Sequence, residues 1–563
     1  MSVRNALVLF LALSTLSLLV GCGSSGPKAV APPTGGFTTS SLNGTYVFSF
    51  SGTDVFSSNL AASASYFSVV GALTASSGAL TGTIDVVDPE LGAALNISPV
   101  LTAQALTGGS YTITPDGRGS GTIRISPNGT NIEFGLDFVL MTPSHGLITR
   151  FDPNGTGSGT IDLQDSTLTQ SALTSYSFSL SGVDSSAVNP FVTAGAFTLG
   201  GTSTISTGLQ DINDDNNSST NLPLTGSLTL GAAGSAGSAA LTATGSPYGT
   251  LSFDVWPIDA THLKLIEVDG VEAIEGDAFT QQATISSGQL VYTLAGLDIP
   301  SQAVLYSGGF LTYTAPTTIA SGYEDINDGG AIGSSLTVSG SLTATGGGRY
   351  ELILGGLYNS AAGAGTYDFA AYPTADGSIL LMEDDNLGVT TGTAFFQTAQ
   401  TFASAQGYGL NLTGGNAEFA GNSGGGEVDD IAEFTANTGT VSNCSSGGAL
   451  SAGIIDENDE GSLLPGVSLG PNGAYCFDST GSGRGELVYP ETGTLITTLT
   501  LDFYVANSST VLFIDADSGA ETGVGSFQLQ NASASSPALA NTQSSASAMR
   551  AAAAAARAHK RQK

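Results

Sequence analysis

Apolar side chains recur at every second position along most of the chain. Ile132, Phe134, Leu136, Phe138 and Leu140 mark one face of a segment, and Ile123 and Ile125 alternate with Thr122 and Arg124. A period of two is the mark of a half-buried strand, because successive side chains leave a pleated backbone on opposite sides. Turn sequences such as Pro115-Asp-Gly117, Pro127-Asn-Gly129 and Pro153-Asn-Gly155 punctuate these runs every 8–14 residues. The pattern predicts an all-β chain of antiparallel meanders with eight or nine strands per unit. A sheet of that size with one apolar face closes into a barrel or folds over into a sandwich. Strictly consecutive hairpins favour up-and-down barrels, with β-sandwiches or a propeller of two blades per repeat as alternatives.

Laid against itself, the chain repeats every 115–130 residues. Four copies open with Tyr46-Val-Phe-Ser-Phe-Ser-Gly52, Tyr176-Ser-Phe-Ser-Leu-Ser-Gly182, Leu290-Val-Tyr-Thr-Leu-Ala-Gly296 and Tyr408-Gly-Leu-Asn-Leu-Thr-Gly414. They close with a Gly five residues before a Gln, at Gly159/Gln164, Gly276/Gln281, Gly392/Gln397 and Gly525/Gln530. Four tandem modules follow, at 42–166, 172–283, 288–399 and 406–532. Their layout is similar to lipocalins and avidins in organisation only, since the signature motifs of those families are absent.

The ends of the chain read differently. Residues 1–21 combine a short polar start containing Arg4 with an apolar stretch from Ala6 to Val20, the proportions of a secretory signal. The stretch ends in Leu19-Val20-Gly21-Cys22, which resembles the lipobox of bacterial lipoproteins. That resemblance implies cleavage before Cys22, lipidation of its sulfur and anchoring in the cell envelope. Gly23, rather than Asp, follows the Cys, which by likeness to enterobacterial sorting favours the outer membrane. A Gly/Ser/Pro tether spans 22–41, and 533–563 is an Ala-rich basic tail expected to be disordered. The repeated openings and closings also look like repeat lipoproteins of unknown function in environmental bacteria, a resemblance that names no activity.

Composition narrows the partners. The chain has 13 Lys+Arg against 47 Asp+Glu, and residues 29–535 hold all of the acids but only six of the bases. So acidic a surface repels nucleic acid and suits cationic partners, calcium or plain solubility. Beyond Cys22 the cysteines are Cys444 and Cys476, and export makes a disulfide between them the expectation.

Two repeated features could carry chemistry. An Asp interrupts an apolar strand in each copy, and three copies place an Arg 18 or 19 residues earlier, giving Arg118 with Asp137, Arg349 with Asp368 and Arg484 with Asp502. Alternation turns both members away from the apolar face, so they are expected to form outward, structural cross-strand pairs. The second feature is Asp-x-Asn-Asp, at Asp211/Asn213, Asp325/Asn327 and Asp456/Asn458, continued by Asp215 and Glu460. Oxygens at alternate positions of a tight loop suit a weak calcium site, although no Glu stands twelve residues in. Otherwise these are hairpin residues bonding their own backbone.

Enzyme signals are thin. Gly421-Asn-Ser423-Gly-Gly425 and Gly466-Val-Ser468-Leu-Gly470 echo serine-nucleophile segments, which a chain so rich in Gly and Ser produces by chance. No catalytic residue is assigned. The expectation is a monomeric, lipid-anchored envelope protein with a structural or ligand-binding role, its partner an envelope polymer or small ligand. A calcium-stabilised adhesin and an exported polysaccharide hydrolase working through paired carboxylates are the alternatives.

Overall fold

The computed structural model describes residues 36–54, 66–184, 189–215, 217–270, 272–299, 303–359, 363–416, 426–439, 441, 444, 446–469, 472–492, 498–517 and 521–534. The chain divides after Pro32, and all the described residues lie in the larger unit, Pro33–Lys563.

The larger unit is four closed, antiparallel, eight-stranded barrels. In barrel 3 the strands are Gly288–Asp298, Ala303–Thr314, Thr318–Asp328, Ala331–Gly346, Arg349–Asn359, Gly363–Pro373, Ser378–Glu383 and Gly388–Phe396, each paired with the next and the last with the first. Barrels 1, 2 and 4 repeat this order over Gly44–Leu163, Ser175–Thr280 and Gln406–Leu529. Small departures mark the copies. The fourth strand is split into Val100–Ala105 and Gly108–Ile113 in barrel 1, and into Ser462–Leu469 and Ala474–Phe477 in barrel 4. A two-turn helix, Pro89–Leu95, is capped by Asp88 and sends Leu91 into the core of barrel 1.

The repeated glycines explain how each barrel closes. Strands 1 and 8 pair directly, and their backbones approach too closely for side chains on the inner face. A Cβ added at Gly159, Gly276, Gly392 or Gly525 would lie 1.6, 2.2, 2.0 or 2.0 Å from a carbonyl oxygen of strand 1. Gly52, Gly182, Gly296 and Gly414 meet strand 8 in the same way. Apolar side chains of alternate positions fill each interior, among them Phe48, Phe50, Phe67 and Phe134 in barrel 1 and Tyr408, Phe434, Phe503 and Phe527 in barrel 4.

The outer faces of the barrels are also buried. Strands 1–3 of each barrel lie against strands 6–8 of the next, from 1 to 2, 2 to 3 and 3 to 4, and strands 1–3 of barrel 4 lie against strands 6–8 of barrel 1. The four barrels therefore close into a ring, each contributing one face to the seam behind it and a different face to the seam ahead. Each seam has its own apolar cluster. Val70 and Trp256 meet in seam 1–2, Ala194 and Tyr372 in seam 2–3, Tyr306 and Ile514 in seam 3–4, and Met141 and Ile431 in seam 4–1. Strand 4 lies on the outside of the ring and is the most exposed, as its alternation of polar and half-buried residues in Asn217–Thr229 shows.

Candidate functional site

The residues singled out by their repetition converge on the seams. Asp211, Asp325 and Asp456 are not loop residues; they sit on third strands, Thr207–Asp214, Thr318–Asp328 and Gly447–Asp459, with side chains turned out of their barrels. With Asp85 they do one job in two directions. One carboxylate oxygen accepts a backbone N–H from the bulged fourth strand of its own barrel, from Ala103, Asn221, Ser335 and Gly466 at 2.6, 2.5, 2.7 and 2.6 Å. All four donors have positive φ, between 51° and 68°, so the carboxylate holds a left-handed kink in place.

The same carboxylates also reach across the seam. Asp211 Oδ2 accepts Arg349 Nε at 2.8 Å and the Tyr372 hydroxyl. Asp325 accepts a fork from Arg484, Nε to Oδ2 at 2.6 Å and Nη2 to Oδ1 at 2.7 Å, as well as the Tyr504 hydroxyl. Asp456 Oδ2 accepts Arg118 Nη1 at 3.3 Å across the seam that closes the ring. Barrel 2 has no Arg at this place, and Asp85 Oδ2 accepts the indole Nε1 of Trp256 at 2.6 Å instead.

The arginines thus face outward from their own barrels but pair differently from the cross-strand expectation. Arg118 contacts Asp116 and Asp456, and Arg349 contacts Asp211, Glu351 and Asp384. Only Arg484 among the three touches its anticipated partner, Asp502, at 3.4 Å. The reason is that the outer face of these strands is a neighbour's surface rather than water. Arg349 is only 3% exposed. Deprived of solvent, Asp137 and Asp502 are pushed up to about 7, first by burial and then by the carboxylates of Asp456 and Asp325.

The Asn of Asp-x-Asn-Asp completes the same seams. The Asn213 amide donates to Glu383 O and Gly388 O, that of Asn327 to Asp515 O, and that of Asn458 to Arg150 O and Gly155 O, at 2.8–3.2 Å. A calcium ion does not fit this set. The aspartate oxygens are held by guanidinium, phenol and backbone donors, and among the described residues no group of three or more His, Cys, Asp or Glu is arranged to hold a metal ion. Asp215 and Glu460 stand at the following hairpin turns with positive φ, away from the seam aspartates along the strand.

Two contributors gave only an unexplained signal in the sequence. The closing glutamines all reach forward into the next barrel: Gln164 to Pro257 O, Gln281 to Gly347 O, Gln397 to Ser482 O and Val505 O, and Gln530 to Asp116 O and Leu140 O. On the outer faces, His145 pairs with Asp162 at 2.7 Å, while His262 and Lys264 share Asp277 at 2.7 and 3.0 Å. These are the polar outer faces of strands 7 and 8. The Asp277 carboxyl is held low by the Lys264 ammonium and its bond to His262, and that of Asp162 by its His145 partner, against the effect of burial.

Cys444 and Cys476 are joined in a disulfide that ties the start of the third strand of barrel 4 to its fourth. Ser468 lies on a strand, Ser462–Leu469. Cys22, the segment around Ser423 and the basic tail lie outside the described residues. No described helix is long and apolar enough to cross a membrane.

No protein-family model matches the chain, and no curated protein is similar to it in sequence. Among solved structures it is similar to the transferrin binding protein B of serogroup B Neisseria meningitidis, at 10% identity over 69% of this chain and 84% of that one, with a TM-score of 0.18. A transferrin binding protein B from Haemophilus parasuis matches at 9% identity over 70% and 83%, with a TM-score of 0.16. CghA matches at 9% over 66% and 97%, with a TM-score of 0.17. Superpositions this poor carry no argument about what the ring does.

Proposed function

We propose that this chain is a lipid-anchored cell-envelope protein whose four barrels close into a rigid, non-catalytic ring. The observation that carries the reading is where the repeated polar residues go. Asp, Asn, Arg and Gln, the side chains from which a catalytic or metal site would be built, are spent on the seams between barrels. The barrel interiors are filled by aromatic and aliphatic side chains. Anchoring rests on Leu19-Val20-Gly21-Cys22 alone. A lipid-held ring is a structural or ligand-presenting element rather than a turnover machine.

The test has two arms on the protein expressed in a Gram-negative host. Metabolic labelling with an alkynyl fatty acid should mark the protein, and Cys22→Ser should abolish the label and release the chain from the membrane fraction. An unlabelled wild-type chain overturns the anchor. Limited proteolysis of the labelled protein should leave the region from 36 to 534 as one resistant body, and cleavage into single barrels overturns the ring.

A further inference from the structure

Each barrel has one acidic mouth, at the end where strand 1 finishes and strand 8 begins. Four aspartates mark the same point in it. Asp152, Asp269, Asp385 and Asp517 each accept a backbone N–H from the residue 17 positions earlier: Gly135, Ser252, Asp368 and Thr500. Two residues before each of them, strand 7 turns a side chain into the barrel, and here the copies part. Barrel 1 carries Arg150, while barrels 2, 3 and 4 carry Glu267, Glu383 and Asp515.

Arg150 shows what this mouth does with a cation. Its guanidinium is fully buried, forked onto Asp152 at 3.0 and 3.2 Å, and lies 4.7 Å from the centre of the Phe67 ring and 5.3 Å from that of Phe134. Its charge opposes the upward push of burial on Asp54 and Asp88, which close the other side of the mouth.

Barrel 2 keeps the receptor and lacks the cation. Phe191 pairs with Gly182 as Phe67 pairs with Gly52, and Tyr248 stands edge-on to it at 5.2 Å. Around them are Asp184, Asp214, Glu267, Asp269 and Glu272. Lys264 is the single Lys or Arg between 172 and 283, and its ammonium is on Asp277, out of the barrel. Glu272 is 3% exposed, and its Oε2 and the Oδ1 of Asp214 are buried with no hydrogen-bond partner among the described residues. Burial and the neighbouring Asp269, Asp214 and Asp184 push the Glu272 carboxyl up to about 8. Carboxylate oxygens stripped of water and of donors are costly, and a cation with several N–H groups relieves that cost. Among the described residues the carboxylates do not converge as metal ligands do, while an aromatic wall beside spread carboxylates matches a planar organic cation.

We propose that the mouth of barrel 2 binds an organic cation bearing a guanidinium group, in the place that barrel 1 fills with its own Arg150. The site is independent of the lipid anchor and of the seams.

Calorimetry on the full chain in detergent, titrated with agmatine at pH 7, tests this. One molecule should bind per chain. Running the titration in buffers of different ionisation enthalpy should show proton release, because the bound cation lowers the Glu272 carboxyl. Glu272→Gln should weaken binding at least tenfold, and Asp478→Asn, on an exposed turn of barrel 4, should leave it unchanged. Glu267→Arg installs the guanidinium of barrel 1 and should abolish binding, which keeps the idea decidable should Glu272→Gln not fold. An absence of binding, equal weakening by Asp478→Asn, undiminished binding to Glu267→Arg, or calcium displacing agmatine at one ion per chain would each overturn the proposal.

Discussion

Seams 2–3 and 1–2 join equivalent faces by different chemistry. In seam 2–3, Asp211 meets a buried arginine that also reaches Asp384 at 2.5 Å and Glu351, so three carboxylates share one guanidinium and a phenol. In seam 1–2 the arginine is gone. Asp85 meets the neutral indole of Trp256, and the carboxyl of Asp254 stands beside it. The first seam satisfies a buried charge by pairing it, the second by keeping it from forming. Burial, with the nearby Asp254 adding to it, pushes Asp85 up to about 7, so it is largely protonated in mildly acidic water. The Asn that supports the other three seams is also missing here, where Val87 stands in its place and joins the apolar cluster. Seam 1–2 is thus the join in which the repeated aspartate has an indole rather than a guanidinium across from it and an apolar residue in place of the Asn.

Perturbing each seam separately should sharpen that contrast. Arg349→Met strands Asp211 and Asp384 in a buried seam and should cost about 3–5 kcal/mol, read as a loss in urea-unfolding free energy. The response to pH should come next. A carboxyl raised from about 4 in the unfolded chain to about 7 in the fold binds its proton more tightly when folded. Its contribution is therefore largest in acid and declines as pH rises from about 4 to about 7, by at most about 1.4 kcal/mol per pH unit for one proton. Asp254→Asn should flatten this slope in melting curves taken between pH 5 and 8, whereas an equal slope in variant and wild type would break the argument. Trp256→Phe removes the indole N–H that Asp85 accepts across the seam and should cost about 1–3 kcal/mol. Gln397→Ala deletes two bonds to Ser482 O and Val505 O and should cost about 1–2 kcal/mol. At the bottom of the scale, Arg124→Ala breaks an ion pair with Glu133 whose members are 55% and 47% exposed, and the unfolding free energy should move by less than about 1 kcal/mol.

The barrels were legible and the ring was not, for a physical reason. Alternation reports which side of a strand is apolar, and the inner-facing Phe48, Phe50, Ile123 and Phe134 announce themselves that way. It is silent about what covers the other side. Val47, Val70 and Ala72 on outer faces looked like ordinary strand formers, yet they pack against barrel 2. The clue lay in polar residues that recur in register without any need inside the barrel. A glutamine five residues after every closing glycine, and an Asn two after three of the four aspartates, had no reason to repeat unless each copy meets the same surface. For the Asp and Asn of this motif the sequence leaves a calcium loop and a self-bonded hairpin both open, because alternating oxygens look alike in a loop and along a strand edge. The mouth of barrel 2 was hidden more deeply, since Glu267 becomes informative only beside Arg150.

The seams join unlike faces, so every barrel has a leading side and a trailing side, and four quarter-turns bring the last to the first. A chain cut after barrel 3 would not simply lack a quarter of its mass. It would expose the leading side of barrel 3 and the trailing side of barrel 1, each built to receive a partner of the same general design. Such fragments are fitted to add to one another end to end, and a rotation that no longer closes yields an open fibre. Ring closure therefore also uses up both sides, leaving neither the leading face of one barrel nor the trailing face of another open to such an addition.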